Sequence, residues 1–122
     1  MNAEDLEDYI ATEVFLPYYE LKNVSDQINH LKDSIKNISK LNTSEIPKKV
    51  YNKLIARISD QLRYCYNLII DEAKKNIKNN NIQEAIRLLS IAKEYLKDPD
   101  FKFPEQGLFE DIEEWISELE EK

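Results

Sequence analysis

Glycine, cysteine and histidine are almost missing from this chain: its 122 residues hold one Gly and one Cys, a single His and four Pro. So little turn chemistry excludes a β-sandwich or a doubly wound sheet, both of which need frequent tight turns. It also leaves no room for a Gly-rich phosphate loop or a nucleophile elbow. The lone Cys65 rules out a disulfide framework and a Cys-based zinc site. It falls on an apolar helical stripe, so it is expected as a buried, inert thiol in a reducing setting. With only His30, neither a His-Glu-x-x-His helix nor the Glu-x-x-His pairs of a di-iron bundle can be built. No apolar run approaches membrane-spanning length, and the first twenty residues carry no Lys or Arg, the opposite of a secretory n-region. A cytoplasmic protein with no membrane contact is expected. No catalytic residue, cofactor, metal or small-molecule substrate can be nominated, and the chain is expected not to be an enzyme.

What is present is helical periodicity and charge. With 42% hydrophobic residues the chain fits one domain able to bury a core. The clearest pattern runs from Leu21 to Leu41, where Leu21, Val24, Ile28, Leu31, Ile35 and Ile38 alternate steps of three and four, the seam of a helix built to lie along another. His30 falls off that seam and is expected to be exposed and uninvolved. A second seam, Tyr51, Ile55, Ile58, Leu62, Cys65 and Ile69, repeats the alternation after a short connection around Asn42 to Pro47. The two are expected to pack as an antiparallel hairpin.

Ahead of this hairpin, Asn2 can cap a helix carrying Leu6, Tyr9, Ile10 and Val14, and Pro17 predicts a break or kink, with Pro17 in the first turn of the helix that follows. Asn-x-Ser/Thr sequons at Asn23, Asn37 and Asn42 are read as chance in an Asn-rich chain. The expected fold class is all-α: an antiparallel bundle of about five helices near 3–16, 18–40, 47–78, 82–97 and 108–120.

Residues 66–99 carry Ala73, Ala85, Leu89 and Ala92 at the spacing of a tetratricopeptide repeat, with Pro99 shortly after. This stretch resembles one degenerate hairpin of that family, with Asn80 where a small residue is expected at the turn. A single copy cannot form the family's concave groove. The resemblance therefore implies close helix-pair packing rather than peptide recognition. After it, Phe101 and Phe103 are expected to plug one end of the bundle. The last helix puts Phe109, Ile112, Trp115, Ile116 and Leu119 on one face, expected to dock within the molecule or to serve as a partner-helix face.

Charge is segregated. The first twenty residues carry six acids and no base, and the last eighteen carry eight acids and one base, leaving the 84 residues between them at +6 in a chain of −7. In that middle, Lys32, Lys36 and Lys40 line one helix and Lys49, Lys53 and Arg57 the next, two stripes expected to converge near the Asn42 to Ile46 connection. They read first as solvated surface, next as contacts for a protein partner, and last as phosphate contacts. The expected role is a small helical interaction module or accessory subunit that meets another protein, or itself as a homo-oligomer. The alternatives are an accessory helical subunit of a nucleic-acid-processing complex of CRISPR or replication type, and a small acidic inhibitor of a basic target.

Overall fold

The computed structural model describes residues 1–97 and 108–121, excepting the side chains of Leu108 and Phe109. The fold is all-α, and among the described residues there is no strand. The elements are α1 (Ala3–Tyr9), a π-helical segment (Ile10–Phe15), α2 (Leu16–Glu20), α3 (Val24–Ser39), α4 (Lys48–Lys78), α5 (Ile82–Lys97) and α6 (Leu108–Glu120). They form two compact units, Met1–Cys65 and Tyr66–Lys122.

The first three elements are one unbroken rod. Asn2 opens it with a reciprocal cap, its Oδ1 accepting from the Asp5 N–H at 2.8 Å while its own N–H donates to Asp5 Oδ2 at 3.0 Å. The chain does not break at Pro17, which stands in the first turn of α2; the irregularity there is the π-helical segment just before it. Leu16 keeps helical dihedrals, φ −60° and ψ −51°, and its N–H reaches back five residues to the Ala11 carbonyl.

The cause lies in the spacing of the core residues. Leu6, Ile10, Val14 and Tyr18 are all buried and stand four apart. In a plain α-helix a four-residue step overshoots a full turn by about 40°, so such a stripe would wind off its face. A π segment, bonded i to i+5, takes more residues per turn and keeps the four in line. It also widens the turn just before Pro17, where the missing N–H and the ring would otherwise disturb an α-helical ladder.

The break falls at residues 21–23 instead. Leu21 is extended, φ −79° and ψ 135°, so it leaves the seam that the sequence assigned to it. Asn23 caps α3, its Oδ1 accepting from the N–H groups of Ser25 at 2.8 Å and Asp26 at 3.3 Å.

Side-chain bridges fix the directions within the first unit. His30 Nε2 donates to the Val14 carbonyl at 2.8 Å, and Gln27 Nε2 to the Leu21 carbonyl at 2.9 Å, so α3 folds back antiparallel on the rod. From rod to α4, Arg57 meets Glu7 at 3.7 Å and Gln61 Nε2 donates to the Tyr18 hydroxyl at 2.7 Å. The Tyr18 hydroxyl also lies 3.3 Å from Cys65 Sγ. Numbers rise together along both elements, so rod and α4 run parallel, and the unit is an up-down-up three-helix bundle.

Its core takes Ile28, Leu31 and Ile38 from α3 and Leu54, Ile58, Leu62 and Cys65 from α4. Ile35, Tyr51 and Ile55, expected in the seams, are only half-buried, while Ser34 is buried and donates to the His30 carbonyl. His30, expected to be uninvolved, is instead half-buried and tied to the rod.

In the second unit, the end of α4 packs closely on α5, with Ala73, Ala85, Leu89 and Ala92 fully buried. The turn between them is closed by Asn80 at φ 64°, a left-handed position that Asn tolerates better than most non-glycine residues. The Asn81 N–H returns to the Asn76 carbonyl at 2.7 Å and the Asn80 N–H to the Ile77 carbonyl at 3.0 Å, the paired bonds of a Schellman cap. Helix α6 packs on α5, burying Ile112 and Leu119, and Lys93 reaches Glu113 at 3.8 Å. The connection bearing Phe101, Phe103 and Gly107 lies outside the described residues.

Candidate interaction surface

The four-residue repeat that buries Leu6, Ile10, Val14 and Tyr18 dictates what the rod shows outside. Residues two positions on, Glu4, Asp8, Thr12, Leu16 and Glu20, form the outward line and are exposed. Residues one position on, Glu7, Ala11, Phe15 and Tyr19, form a flank that Glu7 identifies as the α4 side, because it pairs with Arg57. Leu16 is 60% exposed and Tyr19 72%. Tyr19 is held by its neighbours: Phe15 stacks on it with centroids 6.3 Å apart, and Tyr18 meets it edge-on at 5.2 Å.

The facing wall comes from α4. Val50, Lys53, Arg57, Asp60 and Tyr64 follow one another at steps of three and four, and all are exposed. The Arg57 contact with Glu7 places this stripe along the rod. Val50 and Tyr64 are the two remaining large hydrophobics exposed among the described residues. The Tyr18 contacts with Gln61 and Cys65 bring Tyr19 and Tyr64 to one level on the two sides of the groove between rod and α4, with Leu16 on the adjacent outward line, while Val50 stands on the same α4 wall about 21 Å from Tyr64.

Beneath that face lies a small polar network. Burial, and then the hydrogen bond with Cys65, push the Tyr18 hydroxyl up to about 12, while Gln61 pulls weakly the other way. Burial likewise raises the Cys65 thiol above its usual range. Both groups stay protonated at neutral pH. The thiol is inert and the network serves to fix the ring of Tyr18, and through it that of Tyr19.

The sequence-nominated residues divide differently from expectation. Lys53 and Arg57 stand on the groove wall just described. Lys32 and Lys36 lie on the flank of α3 opposite Gln27 and His30, which face the rod, so they point away from that groove. The two stripes thus belong to different flanks of the bundle rather than to one basic patch. Lys40 and Lys49 are exposed at either end of the connection between α3 and α4.

On α6, Ile112 and Leu119 are buried, and Trp115 and Ile116 half-buried, in the unit where α6 packs on α5. The side chain of Phe109 lies outside the described residues. Leu16 and Tyr19, the core of the exposed face, were not nominated from the sequence. The usable signal was the strict four-residue spacing of the buried stripe, which puts both of them outside.

Among the described residues no group of three or more His, Cys, Asp and Glu side chains is placed to hold a metal ion, and no helix is long and apolar enough to cross a membrane. Compared with protein-family models, curated proteins and solved structures, the chain matches none.

Proposed function

We propose that this chain is a non-enzymatic protein-interaction module of the cytoplasm, and that the groove between the rod and α4 is its working surface. One observation carries the reading: Tyr19 and Tyr64, with Leu16 beside Tyr19, are three of the four large hydrophobics exposed among the described residues and stand at one level of the groove. Apolar side chains scattered singly need no explanation, whereas a cluster rimmed by charge marks a contact surface. Tyr and Arg are also the residue types that most often dominate binding energy at protein interfaces. Phosphate recognition is disfavoured at this site because Arg57 already meets a carboxylate and the rod beside it is acidic.

The test is affinity capture from the source cells with the wild-type chain and with a Leu16→Ser, Tyr19→Ser, Tyr64→Ser variant, both shown by circular dichroism to be folded. A specific protein enriched by the wild type and lost with the variant supports the reading. Equal capture by both, or none by either together with no self-association, removes it.

A further inference from the structure

We propose that the occupant of this groove is a second copy of the chain, docked about a two-fold axis running along the groove. The inference rests on the interaction-module reading and goes further by naming the partner and the register. It starts from the sign of the two walls. The rod wall is acidic, with Glu4, Asp8 and Glu20 on its exposed line, and the α4 wall is net basic, with Lys53 and Arg57 toward one end and Asp60 nearer Tyr64. A face bearing both signs on separate walls can complement itself.

Two in-plane two-fold arrangements are possible, and charge separates them. An axis across the groove lays rod on rod and α4 on α4, which opposes like charges. An axis along the groove exchanges the walls, so that the rod of one copy lies on α4 of the other. It also preserves height.

The heights are fixed by cross-bridges within one molecule. The Met1 amino group is 3.9 Å from Glu45, Glu7 pairs with Arg57, and Tyr18 meets Gln61 and Cys65. Glu4 and Asp8 are therefore level with Lys53 and Arg57, and Tyr19 is level with Tyr64. Docking along the groove sets Glu4 and Asp8 of one copy against Lys53 of its mate, beside the Arg57–Glu7 pair, and sets Tyr19 against Tyr64 twice. The apolar contacts supply affinity and the charges supply register.

The experiment is sedimentation equilibrium on the full chain from about 1 μM to about 1 mM, a range that covers weak and moderate dimers. The mass is expected to rise from 14.5 kDa toward twice that value. Tyr19→Ser with Tyr64→Ser should raise the dissociation constant at least about tenfold. Glu4→Lys alone and Lys53→Glu alone should each weaken self-association, and mixing the two variants should restore a dimer, because each then offers its mate an opposite charge.

A wild-type chain that stays monomeric throughout, or a dimer indifferent to both tyrosines and unrestored by mixing, overturns the inference. A monomer that still captures another protein through Tyr19 and Tyr64 sinks the second copy and leaves the interaction module standing.

Discussion

Deleting a residue from the middle of a helix normally ruins it, yet the rod should tolerate the loss of Ala11. In an unbroken α-helix Tyr18 would stand about 120° around the axis from Leu6, twelve residues at about 100° each. Without Ala11 the interval is eleven residues, and the same helix returns Tyr18 to within about 20° of the Leu6 face. The core spacing changes from four-four-four to four-three-four, the natural α-helical stripe, and the π segment loses its purpose.

Pro17 complicates the outcome, since in an α-helical interior its ring and missing N–H cost about 3 kcal/mol. The variant to compare is therefore the deletion combined with Pro17→Ala, against Pro17→Ala alone, by urea unfolding at neutral pH. The combined variant should match or exceed its reference. As a control, deleting exposed Asn29 from α3 turns Leu31 and Ile38 about 100° away from Ile28 and should abolish cooperative unfolding. If the Ala11 deletion costs more than about 2 kcal/mol in the Pro17→Ala background, the π segment is not a device for keeping Tyr18 in register.

Alkali should weaken the fold. Tyr18 and Tyr66 are pushed from 10.0 to about 12 by burial, so the folded state holds their protons more tightly than the unfolded chain does. Their contribution is fully present below about pH 10 and is lost as pH rises toward 12, on the order of 2–3 kcal/mol each. Cys65, raised from 9.0, adds to the loss from a lower pH. Urea midpoints that are flat from pH 8 to 11.5, or a Tyr66→Phe variant with the same pH slope as wild type, would contradict this.

Leu31→Asp places a carboxylate where exposure is 0% and should cost more than about 4 kcal/mol; an unchanged thermal midpoint would show that α3 does not bury this face. At the turn between α4 and α5, Asn80→Gly should hold or slightly raise stability while Asn80→Val loses about 1–2 kcal/mol, and equal midpoints for the two would remove the left-handed cap as a determinant.

The physical reason for what was readable in the sequence is that helical class and core face depend on residues in the same helix. Ile28, Leu31 and Ile38 are buried because their spacing is helical, and Ala73, Ala85 and Ala92 because close helix pairs need small residues. Neither conclusion requires knowledge of a neighbour. Asn23 shows a local signal passed over: the Asn-x-Ser triplet, read as a chance sequon, is also a helix start, and the side-chain amide oxygen accepts from the first turn of α3. The rod shows a subtler loss. Leu6, Ile10 and Val14 were visible as a stripe, but a spacing of four fits an α-helix over two steps and fails only over three. Tyr18, the residue that exposes the mismatch, stands beyond Pro17, where the sequence predicts a break or kink and a new helix start.

Which flank of a helix meets which neighbour is another matter, because it depends on the closing of three helices into a triangle. Lys32 and Lys36 share a helical phase, as do Lys53 and Arg57, and each pair was placed correctly on its own helix. Their convergence assumed that both flanks face the same groove. Glu7 pairing with Arg57, and His30 reaching Val14, show that the rod occupies one flank of each helix: the flank bearing Arg57 on α4, and the flank opposite Lys32 on α3. The same geometry that separates the two basic stripes brings Tyr19 and Tyr64 to the two sides of one groove. In a small bundle, a surface made by two helices is therefore fixed by the third packing choice rather than by either sequence stripe. This is why the lysine stripes are visible in the sequence, whereas the pairing of Tyr19 with Tyr64 emerges only from the fold.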